Sequence, residues 1–195
     1  MRYVIGLTGG IACGKSAVSN IFEKQGIPII DTDIISKQLM QKGGKCYEEV
    51  VSFFPDCVVD GTLSRSLLKN AVFSDKQKLA MLNDITHKHI RQATENEIAK
   101  NSGVMVVVVP LMFESGFDKF CDCIIDVACS EDVRINRLIN RDNISKELAE
   151  SIIKSQLSDK ERREKSDYII ENDTTVKELN EKALSVIKII LEKQK

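Results

Sequence analysis

Apolar residues gather into short unbroken runs, separated by longer stretches in which they recur every three or four positions. The runs cover residues 3–7, 27–30, 104–109, 123–127 and 168–170, each bounded by turn-forming residues, and predict five buried strands. The run VMVVVV is β-branched and almost continuous, the pattern of a central parallel strand covered on both faces. Helical periodicity marks 16–25, 79–100, 131–141, 146–164 and 177–192. Strand and helix in alternation predict an α/β fold, a five-stranded parallel sheet flanked by helices.

Two stretches exceed what a strand connection needs. Residues 34–100 have mixed polarity and breaks at KGGK, Pro55 and DGT, and predict a helical insertion capping the sheet. Residues 131–165 hold a charged helical pair, RINRLINRD and KSQLSDKERREK, and predict a flap or lid. The core is then 1–33, 101–130 and 166–195, without repeats or a linker long enough to separate independent domains.

Net charge is -1, from 28 basic and 29 acidic residues, so no global field draws the chain to nucleic acid or an anionic membrane, and any anion site must be local. A secretory leader and a membrane-length apolar run are both missing, which makes the cytoplasm the expected address. Six cysteines in 195 residues suggest reduced thiols rather than a disulfide scaffold. Cys121 and Cys123, one residue apart, lack the spacing of a zinc site.

Between the first strand and the first helix lies GGIACGKS, Gly9–Ser16, which matches G-x-x-x-x-G-K-[ST] in full. Glycine lets backbone approach a ligand, so the amides of Gly9, Gly10, Ile11, Ala12, Cys13 and Gly14 can form a concave anion nest. The helix that follows points its positive end at the same spot. Lys15 adds a full charge for the β- and γ-phosphates, and the Ser16 hydroxyl is placed to ligate Mg²⁺. Ala17 completes the expected ATP-binding stretch. Cys13, near a helix N-terminus, reads first as an inert loop residue, with oxidation as the alternative.

A phosphate loop leaves the activity open among a kinase, a GTPase switch and a nucleotide-sensing module. The strings N-K-x-D and D-x-x-G that serve a GTPase are both missing, and the length leaves little room for a partner domain. A kinase needs an acceptor hydroxyl in line, a carboxylate near it and cations over the transferred group. DTD emerges at a carboxyl strand end, and in extended geometry Asp31 and Asp33 share a face. One can accept the hydroxyl proton while the other supports Mg²⁺; Asp33 as helix cap is the structural alternative. Arg134, Arg137 and Arg141 fall on one helical stripe suited to phosphate, whereas the arginines of DKERREK, Arg162 and Arg163, fit a solvated face equally well. Glu114, at another strand end, either orients Lys15 or the acceptor or, equally, caps a loop. His87 and His89, two apart, do not share a helix face and make a poor metal pair.

The chain resembles the dephospho-CoA kinase family of P-loop nucleotide kinases through GLTGGIACGKS, IDTDIIS, DGTLSR, LNDITHKHIR, VPLMFESG, RINRLINRD, SQLSDKER and SDYIIEN, in order along nearly its whole length. The resemblance implies a P-loop kinase fold and transfer of ATP's γ-phosphate, with Mg²⁺, to the ribose 3′-hydroxyl of dephospho-CoA. A nucleoside or nucleotide kinase is the alternative within the fold. It further implies Asp33 as general base with Lys15 and Arg141 as catalytic partners, and Arg137 and Arg141 in an ATP lid. Asp31, Asp33, Arg65, His87, Arg91 and Glu114 become the acceptor set, and 34–100 the CoA-binding insertion. The expected partner is the small-molecule acceptor, without nucleic acid or membrane, in a monomer or weak homo-oligomer. Ala12 stands where relatives often carry glycine, Ala17 where they carry threonine, and Lys88 and Ser64 also depart from the pattern.

Overall fold

The computed structural model describes residues 2–73 and 75–194. Its chain divides into two compact units, Met1–Ile30 with Asn101–Lys195, and Asp31–Lys100. The second unit therefore starts slightly ahead of the expected insertion boundary, and residues 131–165 lie within the first.

In the first unit the strands are β1 (Arg2–Gly9), β2 (Ile29–Asp31, whose last residue opens the second unit), β5 (Gly103–Val108), β6 (Cys123–Ala128) and β7 (Tyr168–Glu171). They form one sheet in the order β2-β5-β1-β6-β7. Strand β1 runs parallel to β5 and β6, with Ile5 opposite both Val106 and Cys123, and β6 runs parallel to β7. Parallel strands need crossovers: α1 (Lys15–Lys24) lies between β1 and β2, and α6 (Glu131–Asp142), α7 (Lys146–Lys154) and α8 (Asp159–Glu164) lie between β6 and β7, while α9 (Val176–Glu192) follows the last strand. The core joins Ile5, Leu7, Val106, Ile125, Val127 and Ile170 of the sheet to Val18 and Phe22 of α1 and Leu179, Ala183, Ile187 and Ile190 of α9. The α9 spacing places those four on one stripe.

The expected single helix over 146–164 is two helices. Helix α7 stops at Lys154, and Ser158 restarts the chain as α8 through a reciprocal capping box with Glu161. The signal was local: S-x-x-E satisfies two helix-end amides and so favours a new start over continuation.

The second unit contains α2 (Thr32–Leu39), α3 (Tyr47–Phe53), a hairpin of β3 (Val58–Val59) and β4 (Thr62–Leu63), α4 (Arg65–Phe73) and the long α5 (Lys76–Lys100). It has its own core of Cys46, Tyr47, Val50, Phe54, Leu63, Leu68, Val72 and Ile85. The Tyr47 hydroxyl donates to Gly61 O at 2.5 Å, tying α3 to the hairpin turn. Among the described residues no helix is long and apolar enough to cross a membrane.

Candidate active site

Strand β1 delivers the chain into the phosphate loop, and α1 leaves it at Lys15, one residue ahead of expectation. Gly14 caps α1 with a φ of 98°, a left-handed conformation, and offers no side chain to the helix end. The first turn of α1 is thus open to an anion. Lys15 Nζ donates to Gly9 O at 2.7 Å and Gly10 O at 3.2 Å, so the ammonium lies across its own loop. Ser16 and Ala17 are exposed in the first helical turn. Backbone curvature, helix end and ammonium together fit a polyphosphate. Ala12 also holds a left-handed φ, 62°, which gives a physical reason for glycine in relatives.

Side chains from distant parts of the first unit grip this loop. Arg137 Nη1 donates to Ala12 O at 3.2 Å, and its Nη2 donates to Asn172 O at 3.1 Å. Asn172, buried just beyond β7, donates from Nδ2 to Cys13 O at 2.7 Å. Gln156 Oε1 accepts from Ile11 N at 2.8 Å. Ile11 and Ala12 pack against Ile135 and Leu138 of α6 and Ala149 and Ile153 of α7. A Cβ at Gly10 would collide with Arg134 Nη1, and one at Gly14 with Asn172 Nδ2, so these glycines also permit close approach.

The expected arginine stripe on α6 divides into different environments. Arg134 is 3% exposed and pairs with Asp159 at 2.9 Å. Arg137 is occupied with the loop. Arg141 is exposed and pairs with the adjacent Asp142 at 2.7 Å. On α8 the solvated-face reading is corrected for Arg162, which is 3% exposed, donates to Leu157 O at 2.6 Å, and pairs with Asp126 at 3.4 Å and with Asp159. Asp126 lies fully buried in β6. Burial raises its pKa, and Arg162 opposes that rise. A carboxylate inside the run CIIDVA demands a buried cation, and that was the signal for Arg162. Arg163 is half-buried and pairs with Glu171 at 2.6 Å. Gln156 and Asn172 carried no comparable signal, because their loop partners lie 145 and 159 residues away. Glu114, expected to face Lys15 or the acceptor, accepts from Leu157 N at 3.1 Å and so ties down the segment between α7 and α8.

In the second unit the chain turns helical at once after Asp31, so the extended Asp31–Asp33 pair is corrected. Asp31 Oδ1 accepts from Asp33 N at 2.8 Å and Ile34 N at 3.3 Å, making Asp31, not Asp33, the cap of α2. Asp33 enters the first turn and lines a cavity of about 380 Å³ with Lys37, Arg65 and Lys69, over Met40 and Leu68. A carboxylate, three cations and an apolar floor share that cavity. His87 and Arg91, four apart on α5, are exposed and do not line it. Partial burial and the Arg91 charge lower the His87 pKa, with Asp84 acting the other way.

The dephospho-CoA kinase family model matches residues 3–178. The chain belongs to the dephospho-CoA kinase family. A dephospho-CoA kinase of Fusobacterium nucleatum is 46% identical over 182 residues, covering 92% of this chain and 94% of that protein. A crystal structure of TT1252 from Thermus thermophilus superposes with a TM-score of 0.87 at 29% identity, over 97% of this chain and 98% of that one. The dephospho-CoA kinase of Campylobacter jejuni superposes with a TM-score of 0.72 at 25% identity over the full length of both chains. The protein is accordingly an enzyme with dephospho-CoA kinase activity, converting dephospho-CoA to CoA, and membership implies ATP as its co-substrate.

Proposed function

We propose that the enzyme moves the γ-phosphoryl group of ATP to the ribose 3′-hydroxyl of dephospho-CoA, with Asp33 as the base that takes the hydroxyl proton. The observation that carries this role is the cavity in which Asp33 shares a wall with Lys37, Arg65 and Lys69. An anionic acceptor is held there by cations, with the Asp33 carboxylate among them to take the hydroxyl proton. Asp31 has a different task, holding the first turn of α2 so that Asp33 keeps its orientation.

On the phosphate side, the loop amides and Lys15 bind the β- and γ-phosphates, and Arg141 is the lid cation that exchanges Asp142 for a phosphate oxygen. Arg137 supports the loop from behind through Ala12 O. The Ser16 hydroxyl, exposed at the open end of α1, fits a hard cation; Mg²⁺ held there with ATP supplies charge neutralisation of the phosphates. Residues 131–165 form the lid and 34–100 the acceptor-binding insertion, with Arg65, His87 and Arg91 as its further polar contacts. We place the enzyme in the cytoplasm, as a monomer or weak homo-oligomer acting on small molecules.

Asp33→Asn tests the base. Folding and ATP affinity are expected to stay near normal while turnover falls about a hundredfold or more, the scale of a removed general base. Turnover within a few-fold of the parent enzyme would remove Asp33 from that role.

A further inference from the structure

Two thiols meet behind the phosphate loop. Cys13, inside the loop, and Cys129, directly after β6, are separated by 116 positions in sequence and 3.4 Å between sulfurs, with Cys129 donating to Cys13. Both are free and buried. We propose that this pair is a redox modification site: hydrogen peroxide joins Cys13 to Cys129 as a disulfide, and the bond disables the phosphate loop.

The chemistry needs one two-electron oxidant. The Cys13 thiolate attacks a peroxide oxygen, the O–O bond breaks, and hydroxide leaves with the thiol's proton as water. The sulfur of Cys129 then attacks the sulfenic sulfur of Cys13, the S–O bond breaks, and the leaving hydroxyl takes the Cys129 proton as a second water. Two thiols are oxidised and one peroxide is reduced. The hydrogen bond from Cys129, opposed by burial and helped by the charges of Arg134, Lys15 and Arg162, lowers the Cys13 pKa below that of an ordinary thiol, which favours the attacking thiolate. Burial of both sulfurs bars a bulky oxidant such as a glutathione disulfide and leaves a small neutral one.

Loss of function follows from packing. A disulfide requires sulfurs about 2.05 Å apart, so the present 3.4 Å must contract, and Cys13 must move or rotate. Its carbonyl is held by Asn172 at 2.7 Å and its amide donates to Gly10 O at 3.2 Å. Gly9 already abuts Val127, and Gly10 abuts Arg134 and Arg162. The loop has no slack on that side, so the contraction disturbs the amides that receive phosphate.

The test treats reduced enzyme with hydrogen peroxide and maps it without reductant. Trypsin releases residues 3–15 and 120–134, and because the latter also contains Cys121 and Cys123, fragmentation must locate the link. The expected result is a Cys13–Cys129 disulfide and a fluorescent ADP analogue bound at least about tenfold more weakly, the loss of one or two phosphate hydrogen bonds, restored by dithiothreitol. Cys129→Ala, outside the nucleotide set, keeps its basal turnover and resists the peroxide dose that inactivates the parent. Absence of the 13–129 link, undiminished nucleotide affinity in linked protein, or equal sensitivity of Cys129→Ala would each overturn the proposal. The binding and mass readouts require no acceptor, so they stand apart from the Asp33 assignment.

Discussion

Around the glycine loop, side chains from α6, from the 155–158 segment and from beyond β7 converge on backbone atoms, and buried ion pairs lie behind them. Around Asp33 the pattern is different: Lys37, Arg65 and Lys69 are exposed side chains on helices, and the cavity is an open groove rather than a packed nest. A phosphate binds to fixed dipoles, so the structure that holds those dipoles must be rigid before the ligand arrives. A larger acceptor is recognised by individual side chains, each of which can change without disturbing the scaffold. Substitutions at the loop should therefore cost stability and nucleotide binding together, and substitutions of the groove's cations should cost acceptor binding alone.

Arg162→Met is the strongest way to break that contrast. It leaves Asp126 buried without its cation, and the expected loss is about 3–5 kcal/mol in urea unfolding. In this variant Asp126 ionises in the folded state only well above its unfolded pKa. The folded form then binds the extra proton, so the deficit shrinks as pH falls toward the ordinary carboxylate range. Adding Asp126→Asn should recover part of the loss; a pH-independent deficit would remove the buried-charge explanation. Next in size is Gly14→Ala, which combines a strained φ with a collision against Asn172 Nδ2. About 2 kcal/mol of stability and a clear loss of ADP affinity are expected together, and loss of one without the other would separate loop rigidity from binding.

Arg65→Ala probes the other region. The acceptor KM should rise about tenfold, the worth of one charged hydrogen bond, with the ATP KM unchanged and the unfolding midpoint nearly so. A matching rise in the ATP KM would show that the groove is not independent of the loop. The smallest effect is a gain: Ala12→Gly relieves a φ of 62° and should stabilise the fold by about 1 kcal/mol, measured by thermal unfolding. No gain would mean that packing of the Ala12 methyl on the α6–α7 pair outweighs its backbone strain.

Pattern and spacing were sufficient for the loop and the alternating elements, because these rest on local signals: glycine positions, apolar runs and a lysine-serine pair at a helix start; the family was legible only through resemblance of a series of motifs. The aspartate pair was legible in identity but not in geometry. Extended and helical paths after β2 both suit DTD, and the choice fell to the helix that Asp31 caps. The arginines were readable as cations but not as partners: neighbouring Arg162 and Arg163 diverge, the first buried against Asp126 and Asp159, the second half-buried on Glu171.

The chain alone determined a glycine loop with the curvature, charge and helix dipole that suit a phosphate between its first strand and first helix, since all three come from consecutive residues. Tertiary structure alone decided what stands behind that site. Gln156, Asn172 and Cys129 reach it from far along the sequence, and a contact between residues more than a hundred positions apart leaves no periodicity or spacing in which it could be read.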